Sequence, residues 1–210
     1  MPKQYLQLNG KTVVENTLER LLSLSEISQV VVAISAEDNH FKSLKIARDS
    51  RIKTVIGGAE RCHSVLNGLR YVTELGSDQD WVLVHDVARP CVRADDVRKL
   101  IRQVEQFDAV GGILANQVRD TMKRGNRINQ IEATVDRSQL WHALTPQLFR
   151  LGDLRRAIES ALDEGLLVTD ESAAMERLGH PPLLVEGMHD NIKITHPLDL
   201  ALTELYIQRQ

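Results

Sequence analysis

Short apolar runs alternate along the chain with stretches whose apolar positions recur every three or four residues. The first kind predicts buried strands and the second amphipathic helices. The runs are Val30 to Ile34, Ile52 to Ile56, Trp81 to His85, Ala109 to Leu114 and Leu183 to Glu186. Between them, Val13, Val14, Leu18, Leu21 and Leu22 mark one helix face, and Val65, Leu66, Leu69 and Val72 a second. A third helix, Asp95 to Gln106, turns Val97, Leu100, Ile101 and Val104 inward. Thr12 with Glu15 predicts a capping box before the first helix. The alternation predicts an α/β sandwich with a mostly parallel sheet covered on both faces.

The pattern breaks between Asn116 and Gln139, where short polar pieces flank Gly125-Asn126 and no continuous apolar face exists. Two polar strands joined at that turn would project as an arm. A lone hairpin is marginal, so the arm predicts pairing with another subunit, symmetrically in a homodimer. Its cations, Arg119, Lys123, Arg124, Arg127 and Arg137, read mostly as solvated charge. Trp141 to Leu144 returns to the core and Thr145-Pro146-Gln147 breaks it. A helix from Asp153 to Glu164 stops at Gly165. Thr169 is the expected N-cap of a helix over Ser172 to Leu178. Asn191 to Ile194 predicts another short strand, and Thr195 with Pro197 starts a last helix through Ile207. At the other end, Tyr5 to Leu8 reads as a short extended piece.

The best candidate site is the segment WVLVHDVARPC, residues 81 to 91, because a buried strand there ends in charge. Asp86 and Arg89 follow the strand directly, and Pro90 turns the chain away. In open α/β sheets ligands sit beyond the carboxyl ends of strands. The plain alternative is that Asp86 and Arg89 merely pair with each other. A second candidate follows Ile56, where Gly57-Gly58 leads into a helix. Bare backbone and helix N–H groups suit a ligand there, although Gly-Gly joins many strands to helices without one.

Length and charge narrow the choices. At 210 residues the chain fits one domain with a full core. With 26 Lys+Arg against 29 Asp+Glu, it has no field to draw it to nucleic acid or an anionic membrane, so any anion must be held by local clusters. Aromatic content of 4% argues against a stacking platform for single strands. No apolar run has the length of a membrane span, and Cys62 and Cys91 suggest no disulfide framework, so the cytoplasm is the expected compartment. The histidines lack zinc spacing, and His85 and His142 read as core residues. What remains is cationic: Lys3, Arg61, Arg89, Arg137 and Lys193, with hydroxyls on Ser64, Thr145 and Thr169 and one carboxylate on Asp86. That set suits phosphoryl or nucleotidyl transfer, which needs charge neutralised and oxygens aligned.

The segments PKQYL (2 to 6), GGAER (57 to 61) with Ser64, VLVHDVARP (82 to 90), VRDT (118 to 121), VDR (135 to 137), WHALTPQ (141 to 147), TDE (169 to 171) and DNIK (190 to 193) together resemble one family. It is the 2-C-methyl-D-erythritol 4-phosphate cytidylyltransferases of the non-mevalonate isoprenoid pathway. The resemblance runs from residue 2 to the last helix. It implies a Rossmann-like nucleotidyltransferase sandwich, one domain over residues 1 to 210, with a dimerisation arm at about 116 to 139. It implies transfer of CMP from CTP to methylerythritol phosphate with Mg²⁺, in a homodimer whose arm helps complete the neighbour's site. On this sequence, Lys3 would stabilise charge on the α-phosphate, and Gly58 and Ser64 would read the cytosine edge. Asp86 would lie near the ribose and metal-bound triphosphate, as a possible metal ligand, with Arg89 orienting the strand tip. Arg137 and Thr121 would approach the partner's substrate phosphate, and Thr145, Thr169 and Lys193 would line the methylerythritol side.

In one respect the sequence departs from the family. Its members begin with a strand and a P-A-A-G-x-G-x-R-like loop, which these residues do not include. The expectation is therefore a natural protein with a further N-terminal segment, and little cytidylyl transfer by the 210 residues alone. A nucleotidyltransferase with another sugar-phosphate or sugar-acid acceptor is the nearest alternative reading. An inactive dimeric scaffold is the non-enzymatic one.

Overall fold

The computed structural model describes residues 2–210. A 3₁₀ turn at Lys3–Tyr5 leads into a two-residue ladder, β1 (Gln7–Leu8) against β2 (Lys11–Thr12), and then α1 (Val13–Leu22). The predicted capping box is present: Thr12 Oγ1 accepts from the Glu15 N–H at 3.3 Å and Glu15 accepts from the Thr12 N–H at 2.9 Å. β3 (Val30–Ile34) and β4 (Ile52–Ile56) have the predicted bounds and pair in parallel. α2 (Arg61–Thr73) follows, then β5 (Trp81–Val84), one residue shorter than its apolar run, and α3 (Ala94–Gln106). The second half adds β6 (Gly111–Gln117), β7 (Met122–Gly125), β8 (Ile131–Val135), β9 (Trp141–Arg150), α4 (Leu151–Asp163), α5 (Glu171–Arg177), β10 (Leu183–Glu186) and α6 (Pro197–Gln208).

The largest sheet has the order β10-β6-β9-β5, and β3-β4 forms a separate parallel ladder. The expected mostly parallel sheet is corrected here. β9 runs antiparallel to both of its neighbours, leaving only β10-β6 and β3-β4 parallel. The sequence misleads at Pro146, which reads as a break although β9 passes through it. The register shifts between Ile113 and Ala115 of β6 opposite that stretch. A bulge there accommodates a residue with no N–H to give to the ladder.

Alternate residues of each strand serve opposite faces. Ile113, Ala115 and Phe149 pack with Val82 and Val84 under α2 and α4, while Leu114 and Leu148 pack with Trp81 and Leu83 under α3. At Gly111 any Cβ would meet the Phe149 ring at 2.1 Å, so only glycine lets these strands close. β3 and β5 are half-buried rather than fully covered, because each has a ladder partner on one side only. α2 nevertheless lies across both sheets, touching β3 and β4 as well as α4.

Smaller corrections concern ends. The N-cap of α5 is Asp170, not Thr169: Asp170 Oδ1 accepts from the Ala173 N–H at 3.0 Å. α6 is capped by His196 with Asp199, one residue beyond Thr195. Residues 191 to 194 form no strand; the Ile194 N–H instead donates to the Ala88 carbonyl at 2.8 Å. His142 is exposed, not a core residue. The β7-β8 arm is a ladder of its own, with Ile128 and Ile131 about 70% exposed at its end (72% and 69%).

Candidate active site

β5 delivers His85 and Asp86 to the end of the larger sheet, and their hydrogen bonds fix one protonation pattern. The Arg89 carbonyl can only accept, so His85 Nε2, 3.0 Å away, must carry the proton. Thr145 Oγ1 accepts from the Asp86 N–H at 3.0 Å and donates to His85 Nδ1 at 3.0 Å. Burial pushes the His85 pKa down to about 4. The ring is thus a neutral peg that joins the strand tip to β9 at Thr145.

Asp86 is the hub. Lys193 Nζ lies 2.7 Å from its Oδ2 and Arg61 Nε 3.1 Å from its Oδ1. Burial alone would raise its pKa, but the hydrogen bond from Lys193 and the Arg61 charge prevail and hold it at about 2. A carboxylate so acidic is an anchor for cations and hydroxyls and a poor proton acceptor. Arg61 also makes a bidentate bond to Glu171, at 2.6 and 3.0 Å. Glu171 is 1% exposed, and burial raises its pKa despite that partner.

The predicted Asp86–Arg89 pair is not the main contact of either residue. Arg89 Nε stands 3.9 Å from Asp86, its Nη1 donates to the Asn191 carbonyl at 2.7 Å, and its buried Nε has no hydrogen-bond partner. Asn191 in turn donates to the Thr145 carbonyl at 2.8 Å and leaves a buried Oδ1 without a partner. These contacts draw the 190–194 segment against the strand tip and bring Lys193 with it.

Beside this cluster, a cavity of about 400 Å³ opens at the carboxyl ends of β3 and β4. Ser35, Glu37, Gly57, Gly58 and Ser64 are among its walls. The Gly58 N–H donates to Ser64 Oγ at 3.0 Å. A Cβ on Gly58 would meet His63 Cβ at 2.3 Å, so the turn needs glycine there. An amide and a hydroxyl that can exchange their mutual bond, in a cavity of ordinary ligand-pocket volume, suit a planar ring with polar edges.

Asp86, Arg89, Thr145 and Lys193 therefore share one cluster, and Gly58 and Ser64 line the adjoining cavity. Lys3 is exposed in its 3₁₀ turn and makes no ion pair among the described residues; Thr121, Arg137 and Thr169 are exposed outside the cluster. Arg137 donates instead to the Arg119 carbonyl within the arm. Sequence reasoning named Arg61 only as one cation among several and missed Glu171 and Asn191. The GGAER and TDE segments carried the first two, but nothing local shows that residues 110 apart meet.

Among the described residues no three His, Cys, Asp or Glu side chains converge as metal ligands. Both Asp86 oxygens already hold cationic side chains. The residues do not fit a dedicated metal site, and among the described residues no helix is long and apolar enough to cross a membrane.

A family model described as 2-C-methyl-D-erythritol 4-phosphate cytidylyltransferase matches residues 1–209. A protein of that name from Aliivibrio fischeri (strain MJ11) is 53% identical over 208 residues, covering 99% of this chain and 87% of its own. One from Vibrio vulnificus (strain CMCP6) is 51% identical over 209 residues, covering 100% and 88%. Among solved structures, a 4-diphosphocytidyl-2C-methyl-D-erythritol synthase superposes with a TM-score of 0.88 at 39% identity, covering 98% of this chain and 95% of that one. The Francisella tularensis 2-C-methyl-D-erythritol 4-phosphate cytidylyltransferase gives 0.85 at 37% identity, covering 98% and 93%.

Proposed function

The chain belongs to the 2-C-methyl-D-erythritol 4-phosphate cytidylyltransferase family, and from that premise we propose how its site performs cytidylyl transfer. The reaction moves CMP from CTP to 2-C-methyl-D-erythritol 4-phosphate in isoprenoid precursor biosynthesis. An oxygen of the acceptor phosphate attacks the α-phosphorus of CTP, a new P–O bond forms, and the bond to the β-phosphate breaks to release pyrophosphate. An ionised phosphate needs no proton removed before it attacks. The observation that carries the reading is the Lys193–Asp86–Arg61 cluster beside the cavity walled by Gly57, Gly58 and Ser64.

In this reading the cytosine enters the cavity, where the Gly58 N–H and Ser64 hydroxyl exchange their mutual bond for the base edge. Asp86 stays anionic and takes the ribose side, while Arg89 and His85 hold the strand tip in place. Lys193, Thr145 and Thr169 face the acceptor. Lys3 comes to the α-phosphate, where negative charge concentrates during transfer. CTP would enter as its magnesium complex, in which the ion would neutralise phosphate charge without a dedicated site on this chain. Two chains form a homodimer through their arms, and Arg137 and Thr121 of each approach the substrate phosphate of the other. The enzyme works in the cytoplasm.

Pyrophosphate release from CTP, by the 210 residues and by an N-terminally extended chain side by side, tests the assignment. Methylerythritol phosphate should drive turnover and other phosphorylated alcohols should not. Equal turnover with a generic sugar phosphate would transfer the assignment to another acceptor class.

A further inference from the structure

One guanidinium joins three segments that lie far apart in the chain. Arg61 is the first residue of α2, immediately after the Gly57–Glu60 turn that walls the cavity. Its Nε reaches Asp86, 25 residues on, and its two terminal nitrogens grip Glu171, 110 residues on. Arginine presents donors in a rigid plane, so the orientation of one carboxylate constrains the other. Stability alone is a weak account of such a contact. Buried ion pairs can often be replaced by apolar residues without loss, because desolvation offsets attraction. Glu171 is also the first residue of α5, two positions after Thr169.

We propose that Arg61 is a positioning residue that transmits occupancy of the Gly57–Ser64 cavity to Asp86 and to the start of α5. A base seated against the Gly58–Ser64 turn fixes the root of Arg61. The fork then fixes the plane of the Asp86 carboxylate and the position of residues 169 to 171. Nucleotide binding in this way prepares the acceptor side before the acceptor arrives. The inference rests on the cytidylyl-transfer reading above.

Hydrogen exchange on the full chain, with and without CTP and Mg²⁺, tests it. CTP should protect amides at 57–64 and also at 169–175. Arg61→Lys keeps the charge but loses the fork, and Glu171→Gln keeps the shape but loses the charge. Both variants should retain protection at 57–64 and lose it at 169–175. Arg61→Lys should raise KM for methylerythritol phosphate on the order of 10-fold and KM for CTP by less than about 3-fold. Protection of 57–64 alone in the unmodified protein, or survival of the second protected stretch in both folded variants, overturns the inference and leaves the transfer reading intact. Absence of CTP protection everywhere overturns both.

Discussion

At the tip of β5, Arg61, Lys193 and Arg89 crowd a single carboxylate, all within 4 Å of Asp86. On the β7-β8 arm, Arg119, Lys123, Arg124, Arg127 and Arg137 face no carboxylate at ion-pair distance among the described residues, although the arm is just as cationic. The first set is held by burial: its carboxylates are sheltered, so each cation has a fixed partner within the subunit. The second stands in water, where charge is cheap to leave alone. The same residue types thus serve opposite ends, one completed by its own chain and the other available to something outside it.

The largest effect should come from the hub. Asp86→Asn removes the charge that Arg61 and Lys193 share, and turnover should fall by about 100- to 1,000-fold. A fall of less than about 10-fold would reduce Asp86 to a local ion-pair partner. Glu171→Ala should come next, as a loss of stability. It removes one of the two carboxylates that hold Arg61, a guanidinium that stays paired with Asp86 and is about a third exposed (34%), so the loss should be about 1–3 kcal/mol. Urea melts would show this directly. A change below about 1 kcal/mol would place the pair with surface bridges, and the contrast with the arm would collapse.

How much of this was legible beforehand depends on the distance over which each feature is encoded. β3, β4 and the α1 capping box are written in adjacent residues, and their predicted bounds hold. β9 is hidden from a local reading because Pro146 is a stop signal that a register shift in β6 accommodates. Asp86 stood out because a charge ended an apolar run. Glu171 did not, since its partner Arg61 lies 110 residues away at the start of α2. Asn191 was hidden similarly: it lies in a segment that read as a strand and instead folds over the strand tip.

The arm's side of the comparison is tested by mixing variants. If Arg137 of one subunit serves Asp86 of the other, Asp86→Asn and Arg137→Ala proteins should each be nearly inactive. Heterodimers would then rebuild one native site, so random exchange should restore about a quarter of full activity. No recovery in verified heterodimers would mean that Arg137 acts within its own subunit, or only on the arm.

A smaller effect is expected from pH. The folded His85 pKa is depressed from 6.5 to about 4, so between those values the unfolded chain binds a proton that the folded chain refuses. Stability from this residue is complete above pH 6.5 and is lost as pH falls toward 4, on the order of 2 kcal/mol for a half-buried ring. Comparing chemical denaturation of the native protein and His85→Asn across that range isolates the slope. An unchanged slope in the variant would show that the acid loss arises elsewhere.

The smallest effect should be on the arm's own charges, and a near-zero result there is informative. Lys123 donates to Thr134 Oγ1 at 2.6 Å across the β7-β8 ladder, with both residues exposed. In a single subunit, Lys123→Ala or Arg127→Ala should change stability by no more than about 0.5 kcal/mol, because water replaces what is lost. The same substitutions should matter more where a second subunit covers the arm, since a charge that loses water on assembly must find a partner there. Denaturation should therefore be followed at protein concentrations below and above the dissociation constant of the proposed dimer. An equal, negligible effect at both concentrations would show that these cations stay solvated in the dimer. The arm would then pair through backbone and through Ile128 and Ile131, with its charge serving solubility alone.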